Sequence, residues 1–230
     1  MVPTIARNID SIVERIRDAA ISVKRDPAEI TLLAVSKKKS VSEILEAVSA
    51  GQKLFGENYV QEAVRKIEEI STVNEEVKFH FIGHLQSNKI PSIAGKFSCI
   101  QSIDSLKLAN KINTYYHNNS LPPVDAMLQV NISGEDQKAG INKREVVQFF
   151  KDTVDLPYLN FIGLMAIGSF TEDIGVKTRE FTEMKKLKNE LKEEGFLLDH
   201  LSMGMTDDLE LAIECGSTIV RVGTAIFGSR

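Results

Sequence analysis

ITLLAVSKKKSVSEILEAVSAGQKLFG, residues 30–56, holds one complete copy of the pattern that decides the fold. Residues 30–36 are largely apolar, as in strands that are buried on both faces. An amphipathic segment follows, which lies between Ser42, a helix-capping residue type, and Gly51, a helix-ending one. A second apolar run at 53–56 completes a strand–helix–strand unit, which predicts two parallel strands joined by a helix.

The same alternation continues to the end of the chain. Eight apolar runs are predicted as strands, namely 30–36, 53–56, 77–82, 98–103, 124–132, 159–167, 197–203 and 218–223. Amphipathic stretches separate them, and two of these stretches stop at Gly195 and Gly216. Eight repeats in about 200 residues favour the α/β class and a closed (β/α)₈ TIM barrel. An open doubly wound sheet is the alternative, although no G-x-G-x-x-G follows any predicted strand.

A further helix is predicted before the first strand. Its apolar residues recur at three- and four-residue steps and form one stripe: Ile5, Ile9, Ile12, Val13, Ile16, Ala19 and Ala20. We expect this extra N-terminal helix to cover one end of the barrel. No linker rich in Pro, Gly or Ser interrupts the chain, so residues 1–230 are predicted to form a single domain.

Composition narrows the class of protein. Hydrophobic residues make up 43% and charged residues 26%, which is typical of a globular protein and not of a disordered chain. Lys plus Arg number 28 against 32 for Asp plus Glu, and this net charge of −4 argues against a nucleic-acid partner. No leader, membrane-spanning run or zinc-type cysteine spacing is visible, which predicts a cytoplasmic protein with no membrane contact and no metal.

Reactive groups in such barrels stand at the carboxyl ends of the strands. Lys37 follows the first predicted strand, and side-chain alternation puts it on the same face as Leu33 and Val35. If that face points inward, Lys37 stands at the mouth of the barrel, where a desolvated amine can attack an aldehyde. Its neighbours Lys38 and Lys39 are expected to form solvated surface.

The last two strands end in a second group of candidates. Ser202 and Gly204 follow the seventh, whereas Arg221, Gly223 and Thr224 lie at the end of the eighth. Loops at these positions often bind phosphate through backbone N–H groups and hydroxyls, although the glycines could equally serve turns. A nucleophilic lysine and a phosphate cup on one rim would suit a phosphorylated aldehyde.

At these residues the sequence closely resembles the pyridoxal phosphate homeostasis protein family (the YggS/PROSC group), whose barrel is like the N-terminal domain of alanine racemase. The resemblance spans nearly the whole chain. It is carried by the stretches 32–37 (LLAVSK), 55–62 (FGENYVQE), 80–89 (HFIGHLQSNK), 163–167 (GLMAI), 202–208 (SMGMTDD) and 221–228 (RVGTAIFG). Lys38 to Ser40 depart from the family's usual residues, but outside the expected contacts.

The resemblance implies a fold-type III barrel that binds pyridoxal 5′-phosphate (PLP). It implies a Schiff base on Lys37, phosphate contacts from Ser202, Gly223 and Thr224, Arg221 facing the pyridine nitrogen and Asn58 beside the ring. The chain ends soon after the eighth predicted strand, so we expect it to lack the second domain that gives racemases their opposing base. The resulting prediction is a non-enzymatic, monomeric protein of PLP homeostasis or carriage, with apo forms of PLP enzymes as candidate partners.

Two alternatives stay open. A weak PLP-dependent racemase or lyase acting on a small amino acid would need an acid or base opposite Lys37, for which His84 and Tyr59 are candidates. A PLP-independent barrel enzyme acting on a phosphorylated sugar would use Lys37 as an aldolase-type amine.

Overall fold

The computed structural model describes residues 4–135 and 137–228. Its strands are β1 Thr31–Val35, β2 Leu54–Glu57, β3 Lys78–Phe81, β4 Cys99–Ile103, β5 Val124–Asn131, β6 Ile141–Asn142, β7 Leu159–Ala166, β8 His200–Ser202 and β9 Ile219–Val222. Its helices are α1 Thr4–Ser22, α2 Val41–Ser49, α3 Val60–Ser71, α4 Ile90–Ile93, α5 Leu106–Asn118, α6 Val146–Asp152, α7 Ile174–Glu193, α8 Leu209–Glu214 and α9 Thr224–Phe227. Over this range no helix combines the length and apolar character needed to cross a bilayer.

Eight parallel strands close into a ring in the order β1, β2, β3, β4, β5, β7, β8 and β9. The β4–β5 and β1–β9 pairings complete it, and these contacts exclude the open doubly wound sheet. All eight predicted strands are confirmed, and with them the (β/α)₈ barrel. The sequence did not predict the two-residue β6, which pairs with the end of β5.

The helices begin and end at the capping residue types expected from the sequence, except that the N-cap of α2 differs from the predicted one. Ser40, not Ser42, caps α2: its side chain accepts from the Glu43 N–H, and the Glu43 carboxylate accepts from the Ser40 N–H in return. Gly51, Gly195 and Gly216 follow their helices at φ values of +93°, +93° and +104°, which is the left-handed cap that glycine favours.

Alternation along the strands divides the core into an outer and an inner part. Residues such as Ala34, Leu201 and Val220 face the helices. Inside the barrel a separate apolar cluster contains Leu33, Ile82, Cys99, Met127, Met165 and Ile219. Other inward positions are polar, and they include His80, Gln101, Gln129, Ser202 and Arg221. The interior of the barrel therefore combines apolar and polar side chains.

Helix α1 joins the beginning of the described chain to its end. Its isoleucines at 5, 9, 12 and 16 are buried as predicted, whereas Val13 is 52% exposed because it lies just outside the stripe. The Asn8 amide donates to the Ile226 carbonyl (2.8 Å), and Arg15 Nε lies 2.6 Å from Glu210 Oε1. These contacts hold α1 against α8 and α9.

Candidate functional site

Lys37 stands on the turn that follows β1. Leu33 and Val35 pack inside the barrel, so the predicted inward face is correct and Lys37 lies two residues further toward the mouth. Its side chain is partly buried, and it has no hydrogen-bond or ion-pair partner among residues 4–135 and 137–228. Lys39, by contrast, donates to the Phe227 carbonyl (2.9 Å), and Lys38 lies over the Tyr59 ring. Of these three lysines, Lys37 is the one without a partner.

Buried charges lie directly behind this turn. The Lys66 ammonium donates to the Ser36 carbonyl (2.7 Å), to Glu57 Oε1 (2.8 Å) and to Glu62. The Ser36 hydroxyl also donates to Glu57 Oε1, at 2.7 Å. Burial raises the pKa of Glu57 above its ordinary value, against the opposing effects of Lys66 and Ser36. Lys66 and Glu57 form a fully buried ion pair.

Arg221 occupies the mouth on the other side of β1. Its strand β9 pairs with β1, with Leu33 opposite Arg221. The guanidinium donates to the Ser202 carbonyl (2.6 Å), the Ser202 hydroxyl (2.7 Å) and the Ala166 carbonyl (2.7 Å). Burial lowers the pKa of Arg221 to about 10, so the group stays charged at neutral pH. Guanidinium has five N–H groups, which leaves two that are not used by these three bonds.

A chain of hydrogen bonds runs from Arg221 across the barrel. The Ser202 hydroxyl accepts from Arg221 and donates to Gln101 Oε1 (2.7 Å). Gln101 Nε2 then lies 2.7 Å from His80 Nδ1, so His80 accepts there and carries its proton on Nε2. Burial and the neighbouring His200 lower the pKa of His80 to about 4. The relay therefore contains a neutral histidine at its far end.

The glycines near the mouth have packing reasons of their own. A Cβ on Gly223 would lie 3.2 Å from the Val35 carbonyl oxygen, so glycine lets β9 approach β1 closely. Gly204 has φ +93°, and a Cβ there would lie 2.5 Å from the Ala212 Cβ. Thr224 begins α9 and is exposed, and its hydroxyl and backbone N–H have no hydrogen-bond acceptor within the described ranges.

Asn58 follows β2 and contributes a buried oxygen. Its Oδ1 accepts no hydrogen bond from the described residues, and the Ser102 hydroxyl on β4 is likewise unpaired within them. Gly83 fixes this loop, because a Cβ there would lie 2.1 Å from the Asn58 carbonyl oxygen. Unpaired buried polar atoms are costly, so the Asn58 oxygen is suited to a ligand donor.

The six residues predicted as a site all lie at carboxyl ends of strands or just beyond them, on one face of the barrel. β1, β2, β8 and β9 are contiguous in the ring and carry Lys37, Asn58, Ser202, Arg221, Gly223 and Thr224. Sequence reasoning missed Gln101, His80 and Lys66. A polar Gln101 within the apolar run 98–103 was a usable signal, since it shares a face with Cys99.

Two other features of the molecule are separate from this group. A cavity of about 850 Å³ lies between α8 and the loop before α7, and none of the six residues lines it. The candidate base His84 is exposed, with its Nδ1 3.6 Å from Asp104. The described residues contain no cluster of His, Cys, Asp and Glu arranged to hold a metal ion.

Comparison with known proteins agrees with this geometry. The family described as "Alanine racemase, N-terminal domain" matches residues 4–230. A pyridoxal phosphate homeostasis protein of Pasteurella multocida is 44% identical over 229 residues, covering 99% of this chain and 98% of the relative. The structure of PipY of Synechococcus elongatus with PLP bound has a TM-score of 0.81 at 31% identity, covering 93% of this chain and 100% of that one.

An alanine racemase of Corynebacterium glutamicum shares the fold, with a TM-score of 0.74 at 12% identity. The match covers 99% of this chain and 61% of the racemase. Both the site residues and these similarities lead to the same group of proteins. The chain belongs to the pyridoxal phosphate homeostasis protein family, which is built on the alanine racemase N-terminal barrel.

Proposed function

We propose that this protein binds PLP through a Schiff base on Lys37 and serves PLP homeostasis or carriage without catalysing amino-acid turnover. The observation that carries the proposal is the pairing of β1 with β9. It brings Lys37, a lysine without a partner in the described residues, to the same rim as Arg221, Gly223 and Thr224. The relatives' name and the PLP-bound PipY structure support the same cofactor.

The residues present fit the chemistry of PLP. Arg221 has N–H groups left to donate to an unprotonated pyridine nitrogen. Thr224 and the N–H groups at Gly223 and Thr224 can donate to a phosphate. Asn58 Oδ1 is an acceptor without a partner in the described ranges. The Ser202 hydroxyl reaches a phosphate only by leaving Gln101, and in the present arrangement it holds Arg221.

Bound PLP supplies a reactive aldehyde carbon. Lys37 Nζ would be the amine that condenses with that carbon, and the two hydrogens of the neutral amine would leave with the aldehyde oxygen as water. The bond is reversible by hydrolysis, which is what a carrier needs.

Several contacts support carriage over catalysis. Arg221 can only donate, so a pyridine nitrogen facing it stays unprotonated and stabilises a carbanion weakly. Of the two candidate opposing bases, the His84 side chain is 64% exposed and Tyr59 lies under Lys38. A weak racemase or lyase activity is the competing outcome of the test below. Apo forms of PLP enzymes are the partners that fit a carrier, and we propose a monomer that acts in the cytoplasm.

The first test is a visible absorption spectrum of the purified protein incubated with PLP, before and after borohydride reduction. We expect a Schiff-base band that disappears on reduction and a phosphopyridoxyl group that peptide mapping finds on Lys37. Lys38→Ala is the matched control and keeps the band, whereas Lys37→Ala loses it. A label on Lys38, or no band in the wild type, would refute the proposed anchor.

Turnover is tested separately with the loaded protein and free amino acids. We expect no racemisation, decarboxylation or transamination above the rate of PLP alone. Turnover that disappears in Lys37→Ala would establish the enzyme alternative. Transfer of PLP is measured by mixing the loaded protein with an apo-enzyme and recording the gain of that enzyme's activity. The proposed monomeric state is tested by analytical ultracentrifugation.

A further inference from the structure

Lys66 is a second lysine behind the site, and its ammonium cannot serve as an amine for a ligand. It is 2% exposed and lies on α3, on the helix side of the barrel wall. Its three N–H donors match the three acceptors around it, which are the Ser36 carbonyl, Glu57 and Glu62. Removing this charge from water is costly, and the three hydrogen bonds offset that cost.

The hydrogen bonds of Lys66 reach both residues that flank Lys37, one directly and the other through Glu62. On one side Lys66 holds the carbonyl of Ser36, whose hydroxyl is bound to Glu57. On the other side the Lys38 backbone N–H donates to Glu62, the same carboxylate that Lys66 binds. Both backbone neighbours of Lys37 are therefore tied to one ammonium group.

The turn itself is in a conformation that needs such support. Lys38 has φ +62°, a left-handed conformation that a residue with a side chain adopts at a cost. The bond from the Lys38 N–H to Glu62 and the bond from Lys39 N–H to the Ser36 carbonyl (3.0 Å) stabilise it. Without Lys66, the carboxylates of Glu57 and Glu62 would repel each other directly behind the turn.

We infer that Lys66, together with Glu57 and Glu62, is a positioning residue that holds the turn so that Lys37 points into the barrel mouth for attack on the aldehyde of PLP. This inference rests on the proposed function of Lys37. Lys66 acts through the backbone of residues 36 and 38, and its hydrogen bonds go to Ser36, Glu57 and Glu62 rather than to the residues expected to hold PLP. Its loss should slow Schiff-base formation while leaving non-covalent binding of the ring and phosphate in place.

The test compares Lys66→Met with the wild type in two measurements. The rate of Schiff-base formation with PLP is followed by absorbance, and the affinity for pyridoxine 5′-phosphate, which has no aldehyde, is measured by calorimetry. We expect a rate about 10- to 100-fold lower in the variant, since misplacing a reactive group by about 1 Å has effects of this size. The affinity for pyridoxine 5′-phosphate should change less than about threefold. Lys53→Met, at an exposed lysine paired with Glu76, is the control and keeps both values.

Two further variants keep the test decisive if Lys66→Met does not fold. Glu57→Gln/Lys66→Met leaves no unpaired buried charge and should show the same slow rate. Glu62 is partly exposed, so Glu62→Ala removes the contact to Lys38 without burying a charge and should slow the rate too. An unchanged rate in the variants that fold overturns the inference, and so does an equal loss of pyridoxine 5′-phosphate binding. Failure of wild-type protein to form any Schiff base would instead refute the proposed function.

Discussion

His80 makes the stability of the barrel depend on pH. Its Nδ1 accepts from Gln101, and the relay continues through Ser202 to Arg221. Protonation of Nδ1 would place two donors against each other and force Gln101 to turn, which removes the acceptor of the Ser202 hydroxyl. The folded protein therefore opposes protonation of His80, whereas the unfolded chain does not.

The size of the effect follows from the two pKa values. The pKa of His80 falls from 6.5 to about 4 on folding. Because the unfolded state binds the proton more readily, the stabilisation is fully present above pH 6.5 and is lost as the pH falls toward 4. At 1.36 kcal/mol per pKa unit the full loss is about 3 kcal/mol, of which about 2 kcal/mol is already lost at pH 5.

The assay is urea unfolding of the wild type and His80→Gln at pH 7 and pH 5. Glutamine offers an amide oxygen as acceptor for Gln101 and does not titrate. We expect the wild type to lose about 2 kcal/mol more than the variant between the two pH values. Other groups whose pKa changes on folding, such as Glu57, are present in both proteins and cancel in this difference. Equal losses in the two proteins would refute the reasoning, because His80 would then be protonated as readily in the fold as outside it.

Two further predictions concern backbone geometry, and urea unfolding measures both. Gly83→Ala should cost about 2–3 kcal/mol, because its Cβ would lie 2.1 Å from the Asn58 carbonyl oxygen. Gly51→Ala, which meets no atom within 4 Å, should cost only the left-handed strain of about 1–2 kcal/mol, and equal effects would contradict the steric argument. Ser40→Ala should cost about 1 kcal/mol by removing the α2 cap, and Ser42→Ala less than about 0.5 kcal/mol; the reverse order would mean that the cap is misassigned.

Strand positions could be predicted because burial on both faces leaves continuous apolar runs that few other structures need. The cap of α2 was missed although its signal was present: Ser40 is followed three residues later by Glu43, the capping-box spacing, whereas Ser42 has no such partner. Val13 was assigned to the buried face because it is apolar, but its angular position on α1 leaves it half exposed.

Within the candidate site, the residues at the strand ends could be predicted from the sequence, but the buried residue that supports them could not. Lys37 and Arg221 could be found because each ends a strand at the face where barrels place their chemistry. Lys66 could not, since a glutamate and a lysine four residues apart usually mark an exposed helix face. Its burial arises only when α3 packs over the ends of β1 and β2, and that contact is not local in sequence.

The contacts of α1 have a consequence for the order in which the protein forms during synthesis. The isoleucine stripe of α1 leaves the ribosome early, yet Arg15 and its partner Glu210 are 195 residues apart. At about 5–20 residues per second, roughly 10 to 40 s pass before that partner exists. Over this interval the stripe lacks the α8 and α9 surfaces against which it packs in the folded protein, so this part of the outer helix layer forms last.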